Sequence, residues 1–316
     1  MSLDLLSANL LSPMVLAFAL GMVAVLLKSD LTLPPGIYNA LSIYLLFSIG
    51  LKGGVALSEA SFRELWAPAL ATLGLGVVTA LTSFFSALKL GKLDRANAAS
   101  LAAHYGSVSA VTFIAAQSFA QAQNIPTEGY LPALVAVLEI PAILLALMLA
   151  GSRDGGSFGK LVHELLTGKT ILLLLGGIVI GTLAAKEGFE QVRPMFGDLF
   201  KGALTFFLLE MGLLAAQRLR DLGRRWLFLT MFGVTMPLVN GALGVCAGTL
   251  AGMSPGGAGV LGSMAASASY IAAPAAVRVA LPQANVSVSL SAALAITFPF
   301  NLAFGIPLMM QIAAIL

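Results

Sequence analysis

Two polar runs inside otherwise apolar stretches hold the residues able to do chemistry. AAHYGSVSAVTFIAAQ carries His104, Tyr105, Gly106, Ser107, Ser109 and Thr112, and GSMAASASYIAAPAAVRVALP carries Ser267, Ser269 and Tyr270 just ahead of Pro274. Each run predicts a broken helix, near Gly106 to Ser109 in the first and before Pro274 in the second, where a proline without an N–H suits the first turn of a new half-helix. The start of a half-helix presents free N–H groups and the positive end of its dipole to an anion. Nearby hydroxyls and exposed carbonyls can hold a cation or complete the anion's hydrogen bonds. The predicted chemistry is joint binding of one anion and one cation. The alternative for any single serine is close helix packing, which small residues also permit.

Few ionisable groups accompany these runs. Glu139 stands two residues before Pro141, and Thr297 stands two before Pro299 at the corresponding place in the second half. Both are candidates to face the breaks as cation ligands, with Glu139 also a candidate proton site; the alternative is a carboxyl that holds a kinked helix. A charge at mid-membrane costs roughly 2.5–3.5 kcal/mol on insertion scales, so such groups are functional candidates by default. Lys52 and Glu210 occupy equivalent spans and could pair. His104 reads as a hydrogen-bonded packing residue or a titrating one, and Arg278 as a snorkelling one.

The elements that must position these residues follow from composition. Of 316 residues 59% are hydrophobic and only 10% charged, with a mean hydropathy of +0.96, against roughly 25% charged in soluble domains. A soluble fold is excluded, and the net charge of +3 is too small in so apolar a chain to imply a nucleic-acid surface. A membrane-crossing helix needs roughly 20 apolar residues. Runs of that kind lie near 11–28, 36–57, 67–89, 95–121, 130–150, 169–186, 199–217, 225–250, 256–281 and 287–316, predicting ten spans in an all-α polytopic protein. The first run follows an acidic rather than basic start, so it is expected to be a retained span and not a secretory signal.

The Gly/Ser-rich, charged stretch 151–168 reads as a linker between a first repeat, 1–150, and a second, 169–316. SIGLKGG matches LEMGLLA, and LEIPAILLALML matches ITFPFNLAFGIPL, in the same order. Five spans per repeat force the second copy to enter from the opposite side, giving an inverted repeat of the kind common in secondary transporters. Of the 17 basic residues only Lys52, Arg63, Lys186, Arg193 and Lys201 fall on one side of this topology. The other side is expected to be cytoplasmic, which places both termini outside.

Enzyme signatures do not appear. There is no phosphate-binding Gly-rich loop with Lys and Ser/Thr and no nucleophile elbow; with His104 and His163 the only histidines, there is no paired-histidine metal site either. The single Cys246 lies in an apolar run and reads as packing.

Taken together, SPMVLAFALGM, SIGLKGG, GSVSAVT, LEIPA, LEMG, SASYIAAPAAVRVALPQANVS and ITFPFN resemble the sodium-dependent bicarbonate permeases of cyanobacteria and other bacteria over nearly the whole chain. The resemblance implies two inverted five-helix repeats with broken crossing helices four and nine. It further implies a gate domain from 11–66 and 169–224, a core domain from 67–150 and 225–316, homotrimers joined through the gate, elevator-type transport in a bacterial inner membrane, and regulation of some members by a cytoplasmic PII-like protein. It assigns substrate and ion binding to Gly106, Ser107, Ser109, Thr112, Glu139, Ser267, Ser269, Tyr270, Ala272, Ala273 and Thr297. Sodium, the coupling ion in place of any cofactor, falls to Ser107, Ser109, Glu139, Ser269 and Thr297. The chain departs from the family pattern where Tyr270 stands in place of an Asp and AAPA in place of SGPP, which removes a carboxylate and a hydroxyl from the second break. The remaining alternatives are a sodium- or proton-coupled symporter of another small anion or organic carboxylate on a bile-acid-symporter-like fold, a passive anion channel, and a membrane scaffold.

Overall fold

Helix boundaries follow local signals. Ser12 caps α1 (Pro13–Leu26) by accepting the Val15 N–H at 3.3 Å, and Pro13 takes the position where no N–H is needed. Asp94 caps α4 (Arg95–Gly106) through the Asn97 N–H at 2.9 Å. At this aqueous helix end that N–H holds the Asp94 carboxyl below the usual carboxylate range. Helix ends use the left-handed region: Lys28, Lys92, Asn124 and Gly252 have positive φ, each just after a helix has ended, which lets the chain turn back onto orphan carbonyls.

The computed structural model describes residues 7, 9–59, 62–150, 159, 163 and 166–316. After α1 come α2 (Pro35–Glu59), α3 (Phe62–Lys89), α4, α5 (Ala110–Ala122), α6 (Leu131–Leu149), α7 (Lys169–Arg193), α8 (Phe200–Arg218), α9 (Trp226–Leu250), α10 (Pro255–Ala265) and α11 (Ala272–Ala280). The last helix, α12 (Val286–Ile315), is continuous but widens into π-turns at Ala292–Thr297 and Asn301–Gly305. These flank Pro299, whose missing N–H and ring disturb the i→i−4 ladder. No strand occurs among the described residues.

Among the described residues, seven helical stretches are long and apolar enough to cross a membrane. The expected sixth and seventh spans form one helical run, Lys169–Arg218, bent at Ala185 and at a π-turn over Pro194–Asp198. That turn is tied to α2, where the Tyr44 hydroxyl donates to the Met195 carbonyl and the Tyr44 ring stacks on Phe196. The expected ninth span is divided into α10 and α11, each too short to cross alone, and α1 has 14 residues. The expected 151–168 linker lies mostly outside the described residues. Large apolar side chains such as Leu20, Leu172, Leu183 and Leu250 point outward, as lipid requires, and the chain is an all-α, multi-pass membrane protein. Cys246 is exposed rather than packed, because it lies on the outward side of α9.

Helices pack in definite pairs: α1 with α8, α2 with α7, α3 with α4, α6 and α9, and α10 with α9 and α12. Glycine sets the closest approaches. A Cβ on Gly54 would lie 2.1 Å from the Ile178 carbonyl oxygen, and one on Gly181 2.2 Å from that of Leu51. Gly21 of α1 and Gly212 of α8 make an equivalent contact, with a Cβ on Gly212 falling 2.0 Å from the Phe18 oxygen. Backbone atoms cannot yield as a flexible side chain can. Gly54→Val is therefore expected to cost at least about 1–3 kcal/mol as α2 and α7 are pushed apart, seen as loss of monodisperse protein in thermal-challenge size-exclusion chromatography; Gly176→Val, where an added Cβ meets nothing within 4 Å, should be tolerated better.

Candidate functional site

The fourth apolar stretch is the most enclosed in the molecule: its 18-residue apolar window within Arg95–Ala122 is 100% buried. Inside it the backbone leaves the helix at Ser107, Val108 and Ser109, extended at Ser107 (φ −91°, ψ −174°) and at Ser109 (φ −94°, ψ 114°), before α5 begins at Ala110. A second interruption separates Ala265 from Ala272. The two breaks are strapped to each other. The Ser109 N–H donates to Ser267 Oγ at 2.8 Å, and the Ser269 N–H donates to the His104 carbonyl at 2.7 Å.

Hydroxyls cap both new half-helices. Ser109 Oγ accepts the Thr112 N–H at 3.1 Å, and Ser269 Oγ accepts the Ala273 N–H at 3.2 Å. The carbonyls freed at the breaks are met by side chains of neighbouring helices. Thr79 donates to Gly106 O (3.2 Å), Asn240 Nδ2 to Tyr105 O (3.3 Å), Asn301 Nδ2 to Ala266 O (2.7 Å), and Ser267 Oγ to Met264 O (2.6 Å). Non-helical backbone inside a membrane protein requires such partners. Thr79, Asn240 and Asn301 are not among the sequence-predicted site residues, although a buried span amide is itself a signal of interhelical hydrogen bonding.

Ser109, Glu139, Ser269 and Tyr270 meet in one narrow cleft, together with Val108, Ala110, Thr170 and Ile271. Glu139 is 2% exposed, and its Oε2 has no hydrogen-bond partner among the described residues. The Tyr270 hydroxyl is sealed from solvent and faces Ser109 without a well-formed hydrogen bond. Its ring meets Phe298 edge-on at 5.8 Å, and Phe298 meets Phe18 of α1 at 5.4 Å, so an aromatic chain joins the cleft to the first helix. Lys and Arg are absent from the cleft lining. What the cleft offers is one carboxyl, several hydroxyls and the first turns of two half-helices, a donor and acceptor set suited to a small anion held beside a small cation.

Other predicted residues are placed differently. Thr297 does not line the cleft; its hydroxyl donates to Gly233 O at 2.7 Å and meets the Tyr105 hydroxyl at 2.7 Å. Ser107 is buried beside the break, and its hydroxyl has no partner among the described residues. Gly106 lies against α3, where a Cβ would fall 2.8 Å from Ala80 Cα. Ala272 and Ala273 form the first turn of α11. His104 is buried with Nδ1 against the Ser100 carbonyl at 2.7 Å, which ties the ring to its own helix. The Lys52–Glu210 pair does not form, since Lys52 turns to the ring of Phe200, with Nζ 4.0 Å from the centroid, while the charge of Glu210 acts on Tyr38.

No curated protein matches this chain significantly. A family model does, across residues 13–314, so both breaks, Glu139 and the cleft all fall within the match. The chain belongs to the Na+-dependent bicarbonate transporter superfamily.

Proposed function

We propose that the protein is a secondary active transporter that takes up bicarbonate with sodium, both held where the two broken helices meet. The observation that carries this reading is the cleft in which Ser109, Glu139, Ser269 and Tyr270 converge beside the α5 and α11 N-termini, in a chain of this family. The α5 and α11 first turns, with Ala272 and Ala273, face the anion. Glu139 and the hydroxyls of Ser107, Ser109 and Ser269 hold the cation, while Ser267, Thr112, Gly106 and Thr297 keep the breaks in shape. Each ion then raises affinity for the other, which is the coupling.

The same reading has ten spans in two inverted repeats. Here α1 is a short span, Lys169–Arg218 contributes two, and α10 with α11 makes one. The packing partners support it: exchanging the halves carries α1·α8 onto α7·α2, α3·α4 onto α9·α10, and α3·α6 onto α9·α12, all of which are observed. The core (67–150 and 225–316) would move elevator-fashion against the gate (11–66 and 169–224), in homotrimers in a bacterial inner membrane with both termini outside. A PII-like cytoplasmic regulator belongs to this reading through the family resemblance only.

One observation favours a second coupling ion. Glu139 has no cationic partner in the cleft, and Tyr270 supplies no charge, so a proton on Glu139 would also neutralise the site. Labelled bicarbonate uptake into liposomes bearing the purified protein, with and without an inward sodium gradient at fixed pH and, separately, with an inward proton gradient in sodium-free buffer, tests both. Uptake driven by sodium supports the first reading; uptake driven only by a proton gradient supports the second. Ion-independent flux would indicate a passive pathway, and no flux would overturn bicarbonate as substrate.

A further inference from the structure

A second polar pocket opens between the C-terminal end of α5, the turn before α6, and helices α2 and α8. Its nearest residue on α5, Gln117, stands eight residues beyond Ser109, about 12 Å along the helix at ~1.5 Å per residue. Lys52 of α2 stands in the pocket wall, half-buried, with Nζ fixed over the Phe200 ring at 4.0 Å. No carboxylate of the described residues lies within ion-pair distance of it. The charges acting on it are Lys201 of α8 and, more weakly, Asp198 of the adjoining π-turn, of opposite sign.

Glu128 shares the lining, but its carboxylate turns toward α10, where Oε2 packs against Gly257 without a hydrogen-bond partner among the described residues. Oε1 accepts the Ser254 N–H at 2.5 Å at the cap of that helix, where the dipole favours a negative charge. The remaining polar side chains of the lining, among them Gln117, Gln121 and Thr127, are neutral and able to donate hydrogen bonds. An ammonium within a membrane-spanning helix, held by a cation–π contact and without a counter-ion, implies an anionic partner.

We infer that this pocket is a second anion site, in which Lys52 and the amides of Gln117 and Gln121 bind a small monovalent oxyanion of the carboxylate or carbonate kind. It is separate from the cleft at the breaks and stands whether or not the chain carries bicarbonate. Because its walls come from α2 and α8 on one side and α5 and α6 on the other, an occupant bridges two groups of helices.

The test uses the full-length protein in nanodiscs with Cys246→Ser, which removes the only native thiol, and Thr127→Cys as a reporter in the turn that lines the pocket. The thiol is modified with an anionic sulfonatoethyl or a cationic trimethylammonioethyl methanethiosulfonate. The anionic reagent is expected to react about tenfold faster than the cationic one, a modest focusing effect for one unpaired charge in a cleft. Formate or bicarbonate at constant ionic strength should slow it several-fold. Lys52→Gln should erase both the preference and the protection, and Lys52→Arg should keep them. Equal rates for the two reagents, or protection that survives Lys52→Gln, would overturn the site. If Lys52→Gln fails to fold, the preference and the protection in the parent still decide the matter. Neither readout requires transport, so failed uptake and a failed anion site remain distinguishable.

Discussion

Replacing Ser109 by leucine is expected to lower bicarbonate uptake by about a hundredfold or more, with protein still recovered from membranes. Three effects act together at one position. The hydroxyl that accepts the Thr112 N–H is removed, leaving a buried donor without its cap at a cost of roughly 1 kcal/mol. The leucine side chain fills a cleft that is already narrow, and it separates the first turn of α5 from Glu139, Ser269 and Tyr270. Ser109→Ala removes the hydroxyl without adding volume, so a loss of about tenfold is expected, close to the ~1.4 kcal/mol that a factor of ten represents. Initial rates of labelled bicarbonate uptake, normalised to protein in the liposomes, give the comparison. If Ser109→Leu transports normally, the anion does not bind at this cleft.

Glu139→Gln is the second large effect. A carboxylate that is 2% exposed, with one oxygen unpartnered and no Lys or Arg beside it, is an uncompensated charge unless a cation or proton accompanies it. Glutamine has nearly the same shape and needs neither. If sodium is the companion, the sodium concentration for half-maximal uptake should rise about tenfold or more, with a much smaller change in the response to pH. If a proton is the companion, uptake should lose its dependence on a proton gradient and leave the sodium response unchanged. Sodium titrations and pH profiles of uptake separate the two. Curves that match those of the unmodified protein in both experiments would make Glu139 a structural residue of a proline-containing helix.

Much of this was legible in the chain because membrane and backbone physics act on short windows of sequence. An apolar run near 20 residues identifies a helix long enough to cross, and serines and a glycine inside such a run mark where the helix fails. That is how the interruption at Ser107–Ser109 could be expected from GSVSAVT. Pro274 and the serines before it marked the second interruption in the same way. The boundary between α7 and α8 was less legible. The stretch 187–198 falls between two expected spans, yet Pro194–Asp198 closes into a π-turn because Tyr44 and Phe196, far apart in sequence, hold it against α2.

By itself the sequence determined the all-α membrane class, the broken helices and the family, since each depends on residue type at short range or on a pattern along the whole chain. Only the tertiary structure decided which polar residues share a space. It brought Thr170 to Ser109 and Glu139, set Thr297 to hold Tyr105 and Gly233 instead of the cleft, and placed Asn240 and Asn301 on the freed carbonyls. It also turned Lys52 away from Glu210 and into a pocket of its own. The reason is geometric. Which face of a helix meets which neighbour depends on rotations set by close approaches such as Gly54 against Ile178 and Gly212 against Phe18, and those contacts join residues more than a hundred positions apart.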